Sequence, residues 1–89
     1  MRDIGEVWER IKAYQGQVFK LVEGEPLTYR VDGNVMVTSR SKQKLHIGDF
    51  EKILAIAPIK GPGEINKMVR GPSYIYAILY DPRIRMNDW

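Results

Sequence analysis

The apolar residues of this chain change period at Gly16, and that change decides what the two sides can fold into. Upstream, Ile4, Val7, Trp8, Ile11 and Tyr14 fall along one helical stripe, with Glu6, Glu9, Arg10 and Lys12 outside it. This predicts a helix from about Asp3 to Tyr14, stopped by Gly16. Downstream the repeat is twofold. The runs 17–22, 27–31 and 35–39 are separated by Glu23-Gly24-Glu25-Pro26 and Asp32-Gly33-Asn34, residues that tolerate turn angles. An antiparallel meander of three strands is expected.

The register of the second hairpin decides which side chains face out. A loop of Asp32 and Gly33 alone would set Asn34 against Val31 and split the apolar residues between two faces. If Asn34 joins the loop, Val31 pairs with Val35 and Tyr29 with Val37. Leu27, Tyr29, Val31, Val35 and Val37 then share the inner face, joined by Phe19 and Leu21. The outer face carries Val18, Lys20, Thr28, Arg30, Met36, Thr38 and Arg40. Burial favours this second register.

After Arg40, the run Ser41-Lys42-Gln43-Lys44 reads as a solvated loop leading through Leu45-His46-Ile47 to a second helix capped by Gly48 or Asp49. Phe50, Ile53, Leu54 and Ala57 form its apolar stripe, widened by Ile56, and Pro58 ends it. One or two helical turns are expected over 64–69, with Ile65, Met68 and Val69 inward. The seven-residue apolar run 74–80 suits a buried helix or a buried strand. Pro72-Ser73 before it and Asp81-Pro82 behind it favour a helix, with Ser73 as cap. The fold expected is α+β: an N-terminal helix, a three-stranded antiparallel meander, then two or three helices packed on one face of the sheet. It forms one small domain over 1–89, with 83–89 a partly ordered tail and Ile84 tucked onto the core.

Composition bounds the chemistry. A chain of 89 residues leaves no room for two cores. A domain near this size buries only about 60 to 65% of the surface its unfolded form exposes. With 44% hydrophobic and 28% charged residues it lies in the globular range. No apolar run approaches the roughly 20 residues of a membrane-spanning helix. Charges at Arg2, Asp3, Glu6, Glu9, Arg10 and Lys12 break any signal-like apolar segment, so a cytoplasmic protein is expected. The chain has no cysteine and a single histidine, and its acids lack ligand spacing. No metal and no cofactor are expected. Gly61-Pro62-Gly63 lacks the lysine and hydroxyl residue of a phosphate loop and reads as a turn.

The charge pattern is the functional lead. The net charge is +3, and between Gly33 and Gly48 there is no acid while Arg40, Lys42 and Lys44 supply a matching +3. Lys20, Arg30 and Arg40 are expected on one sheet face with Thr28 and Thr38 between them, and Lys42 and Lys44 extend it. Such cations and hydroxyls suit phosphate contacts, although an ordinary solvated sheet face carries cations too. The nucleic-acid-binding set is therefore Lys20, Arg30, Thr38, Arg40, Lys42 and Lys44, with DNA or RNA as partner and no enzymatic role. Lys67 and Arg70 near the helix after Ser73 form a second basic surface.

Two alternatives stand beside this. Trp8, Met36, Tyr80 and Trp89 are too many large apolar groups for a thin core, which suits a homo-oligomer or a protein-interaction module. Tyr74, Tyr76 and Tyr80 would add contact area. A small ribonuclease using His46 as base ranks last; no nucleophile motif surrounds Ser39, Ser41 or Ser73.

Overall fold

In the computed structural model, which describes residues 3–89, the chain forms an α+β fold. Helix α1 spans Ile4–Ala13 and buries Val7, Trp8 and Ile11, the apolar stripe of the sequence. Asp3 caps it, its Oδ2 accepting from the Glu6 N–H at 3.3 Å and satisfying one of the first-turn amides that has no intrahelical partner.

The strands are shorter and more numerous than the twofold runs suggest. β1 (Phe19–Lys20) pairs only with β2 (Pro26–Leu27), forming a two-stranded ribbon. β3 (Tyr29–Asp32), β4 (Val35–Thr38) and β5 (Lys44–His46) form the three-stranded antiparallel meander. The meander thus lies one strand further along the chain than expected, because Lys44–His46 pairs with β4 instead of continuing the solvated loop.

The hairpin register also differs. Its loop is Gly33-Asn34, with Asp32 opposite Val35, Val31 opposite Met36, Arg30 opposite Val37 and Tyr29 opposite Thr38. Gly33 sits at φ +61°, the left-handed region that a primed two-residue turn needs. Tyr29, Met36, Thr38 and Leu45 are buried on the inner face, while Val37 is exposed. The deciding contacts lie outside the hairpin. Leu45 pairs with Met36, and the Trp8 Nε1–H of α1 donates to the Gly33 carbonyl at 2.8 Å, holding the turn against the helix. Two inward valines are exchanged for Met36 and Thr38, and Thr38 Oγ1 is buried without a hydrogen-bond partner.

α2 (Ile47–Ile56) buries Phe50, Ile53 and Leu54. Its N-cap is His46, with Asp49 acting from the third helical position: Asp49 Oδ2 accepts the His46 N–H at 3.2 Å. A 3-10 turn covers Pro62–Ile65; Ile65 and Val69 point inward, but Met68 is exposed. The apolar run after it is a helix, α3 (Pro72–Leu79), burying Ile75, Ala77, Ile78 and Leu79. It begins earlier than a Ser73 cap allows. Gly71 is the cap, in the left-handed region at φ +62°, and Pro72 occupies the first position, where its missing N–H costs nothing.

The last residues are folded onto the molecule. α4 (Pro82–Arg85) buries Ile84, and Trp89 is buried with its Nε1–H donating to the Leu79 carbonyl at 3.0 Å. Arg10 of α1 holds this segment, donating to the Ile84 carbonyl at 3.0 Å and pairing with Asp88 at 2.5 Å. Among the described residues no helix is long and apolar enough to cross a membrane. The core joins α1, the inner sheet face and the helices: Trp8 meets Phe50 edge-on at 5.3 Å, and the buried Tyr29 hydroxyl donates to the Ile11 carbonyl at 2.5 Å. Burial pushes the Tyr29 phenol well above its ordinary range, so it stays a neutral donor.

Candidate nucleic-acid interface

The six cations and hydroxyls singled out in the sequence fall into separate places. Arg30 and Lys44 share the outer sheet face, aligned across Val37 by the pairings of β3, β4 and β5. Lys20 lies on the separate β1–β2 ribbon. Thr38 points into the core, 5% exposed, because the register inverts β4 relative to expectation, so its hydroxyl is out of reach of any ligand on the outer face. Arg40 is engaged. Its Nη2 pairs with Glu25 at 2.7 Å and its Nη1 donates to the Pro26 carbonyl at 3.2 Å, so a carboxylate 15 residues away neutralises it. Lys42 is exposed in the loop before β5.

A different grouping emerges at the edge of β5. Lys44 and His46, Asp49 and Lys52 from α2, and the segment 67–70 line a groove of about 480 Å³. The chain builds it by alternation and by a turn. Leu45 points inward, so Lys44 and His46 point out; α2 starts immediately after His46 and carries Asp49 and Lys52 alongside; and Val69, buried, anchors the turn that presents Lys67 and Arg70. Lys44, Lys52, Lys67 and Arg70 give four cations against the single carboxylate of Asp49, which already accepts the His46 N–H. None of the four takes part in an ion pair among the described residues.

Lys44 thus joins the second basic surface, Lys67 and Arg70, which the sequence kept apart from it. Lys52 and His46 complete the rim; Lys52 carried no signal beyond its charge, since only the α2–β5 junction brings it alongside. The ring at the groove's rim is the His46 imidazole, and its apolar side chains are Met68 and Val69. The arrangement can accept anionic oxygens in a row, and His46 is the ring beside them. A larger cleft, about 570 Å³, lies between Leu21 to Glu25, Arg40 to Gln43 and the start of α3; there Glu23 and Glu25 offset Arg40. Among the described residues no three of His, Asp and Glu converge as metal ligands. Compared with family models, curated proteins and solved structures, the chain matches none.

Proposed function

We propose that this domain is a non-enzymatic, cytoplasmic nucleic-acid-binding module that holds a phosphate backbone in the β5-edge groove, with Lys44, Lys52, Lys67 and Arg70 as phosphate contacts and Arg30 extending the surface across the sheet. The observation supporting it is the four unpaired cations gathered from three segments around one engaged carboxylate. Cations without internal partners keep their counterions until a polyanion displaces them, and that release drives binding. Relative to the sequence expectation, the contact set keeps Arg30 and Lys44, drops Lys20, Thr38, Arg40 and Lys42, and adds Lys52, Lys67 and Arg70. Because no Phe, Tyr or Trp is among the groove's lining residues and its ring is the single His46 imidazole, the contacts follow the backbone more than stacked bases.

The test is fluorescence anisotropy with labelled DNA and RNA at low salt. Lys44→Ala, Lys67→Ala and Arg70→Ala together are expected to weaken binding at least a hundredfold, while Arg40→Ala leaves it nearly unchanged. No binding by the wild type, or equal binding by the triple variant, refutes the reading. RNA cleavage by the wild type that is lost in His46→Ala would replace it with a nuclease.

A further inference from the structure

The outer face of the β3–β4–β5 sheet carries two rows of side chains that are left largely to solvent. Arg30, Val37 and Lys44 stand opposite one another in the first row, and Asp32, Val35 and His46 in the second. All are exposed except the half-buried Val35, and Val37 is 41% exposed although apolar. Strand alternation puts them there, because Tyr29, Met36, Thr38 and Leu45 point the other way into the core. The middle strand thus offers two valines, and the strands on either side offer cations. Arg30 on β3 enters no ion pair among the described residues, and Lys44 on β5 leads into the basic groove. Neighbouring strands lie about 4.8 Å apart, so Arg30 and the β5 edge rise from backbones about 10 Å apart.

Given the nucleic-acid reading of the β5-edge groove, on which this rests, we infer that the outer sheet face straddles the major groove of duplex DNA, one phosphate backbone lying in the β5-edge groove and the other meeting Arg30. Width separates duplex from single strand. A single strand can follow the four groove cations without reaching Arg30, whereas the backbones flanking a B-form major groove about 12 Å wide are spaced for both sides of a three-stranded sheet. Val35 and Val37 separate DNA from RNA. They lie between the cationic flanks, over the base edges, where the apolar group on offer is the thymine methyl. RNA lacks that methyl, and the wide groove of its A-form helix displays 2′-hydroxyls, which a valine side chain cannot satisfy. The two rows are about 6.7 Å apart along the strands, close to two steps of a duplex that rises about 3.4 Å per base pair. Asp32, the one acid of the face, stands in the Val35 row and suits a cytosine amino group instead of a phosphate. Arg30 therefore sets the preference for duplex, while the groove cations hold either form.

The experiment measures fluorescence anisotropy of a short labelled A·T-rich DNA duplex, one of its single strands, and the RNA duplex of the same sequence, with wild type and Arg30→Ala at one salt concentration. Wild type is expected to bind the DNA duplex about tenfold more tightly than either other probe. Arg30→Ala should weaken duplex binding about tenfold and single-strand binding by less than about twofold. Replacing thymine by uracil in the DNA duplex removes only the methyl groups and should weaken binding about threefold. Arg30 is exposed and unpaired, so the variant should keep the wild-type circular dichroism and melting curve. Equal binding of duplex and single strand by wild type, an equal loss on both in Arg30→Ala, RNA duplex bound as tightly as DNA, or indifference to the methyl groups overturns the inference and leaves the basic groove standing. Failure to bind any of the probes removes both.

Discussion

Replacing Arg83 with methionine keeps a long apolar stem but removes the guanidinium, and the structure makes that group a clamp between β1 and α4. Its Nε and Nη2 donate to the two oxygens of Asp81 at 2.9 Å, Nη2 also donates to the Val18 carbonyl at 2.9 Å, and its carbon lies 3.9 Å from the centre of the Phe19 ring. Charge-assisted bonds of this kind contribute about 1.5–3 kcal/mol when sheltered, and a cation over a ring adds about 0.5–1 kcal/mol. About a third of the Arg83 side chain is exposed, so solvent screening lowers the first figure, and a net loss of about 2 kcal/mol is expected for Arg83→Met. For a domain of this size that corresponds to a fall in melting temperature of roughly 10 °C.

The pH dependence is a sharper test of the same clamp. The Arg83 hydrogen bonds hold the Asp81 carboxyl below its ordinary range, and the Arg83 guanidinium is correspondingly raised. A depressed carboxylate stabilises the fold fully above the unfolded value of about 3.9, and that contribution is lost as the pH falls through the lower folded value. Urea titrations at steps from pH 7 to pH 2 should therefore show wild type and Arg83→Met far apart at neutrality and converging in acid. Asp81→Asn, which can still cap α4, should show the same convergence with a smaller gap. A gap under 0.5 kcal/mol at pH 7, or one that stays constant into acid, would refute the clamp.

Thr38→Val removes a buried hydroxyl that has no protein partner at nearly constant volume, and should raise unfolding stability by about 1 kcal/mol in urea titration. Gly71→Ala should cost about 2 kcal/mol in the same assay: φ is +62°, and the added carbon would lie 3.0 Å from Tyr74 Cδ2 and 3.1 Å from Leu45 Cδ2. If Lys44, Lys52, Lys67 and Arg70 each meet a phosphate of duplex DNA, log affinity falls against log salt with a slope near −3.6, roughly a 150-fold loss between 50 and 200 mM. The Lys67→Ala, Arg70→Ala double variant should halve that slope, and a slope left unchanged would take these two residues out of the contact set.

What the sequence made legible was the local part of the fold. α1 follows from one uninterrupted stripe with Asp3 ahead of it, and α3 follows from the boundary residues that flank an otherwise ambiguous apolar run. The hairpin register escaped because its two faces compete almost evenly in apolar content. Met36 and Thr38 were admitted to the core by Leu45 and by the Trp8 indole, which approach from strand β5 and helix α1. β5 itself is three residues long, too short to declare a period. The basic site was legible only as a local excess of charge. Which cations are free depends on distant carboxylates, and among the described residues Glu25 took Arg40 while no such partner reached Lys44, Lys52, Lys67 or Arg70. Trp8, Met36 and Trp89 proved to be core residues, so a surplus of large side chains no longer argues for an interaction surface.

The stitch from Arg10 to the Ile84 carbonyl and Asp88 bears on how the chain is made in the cell. During synthesis α1 leaves the ribosome well before the groups that anchor it, the Ile84 carbonyl and Asp88. Until they clear the exit tunnel, Val7, Trp8 and Ile11 lack part of their cover, and the nascent segment must stay soluble on the charges along its other face.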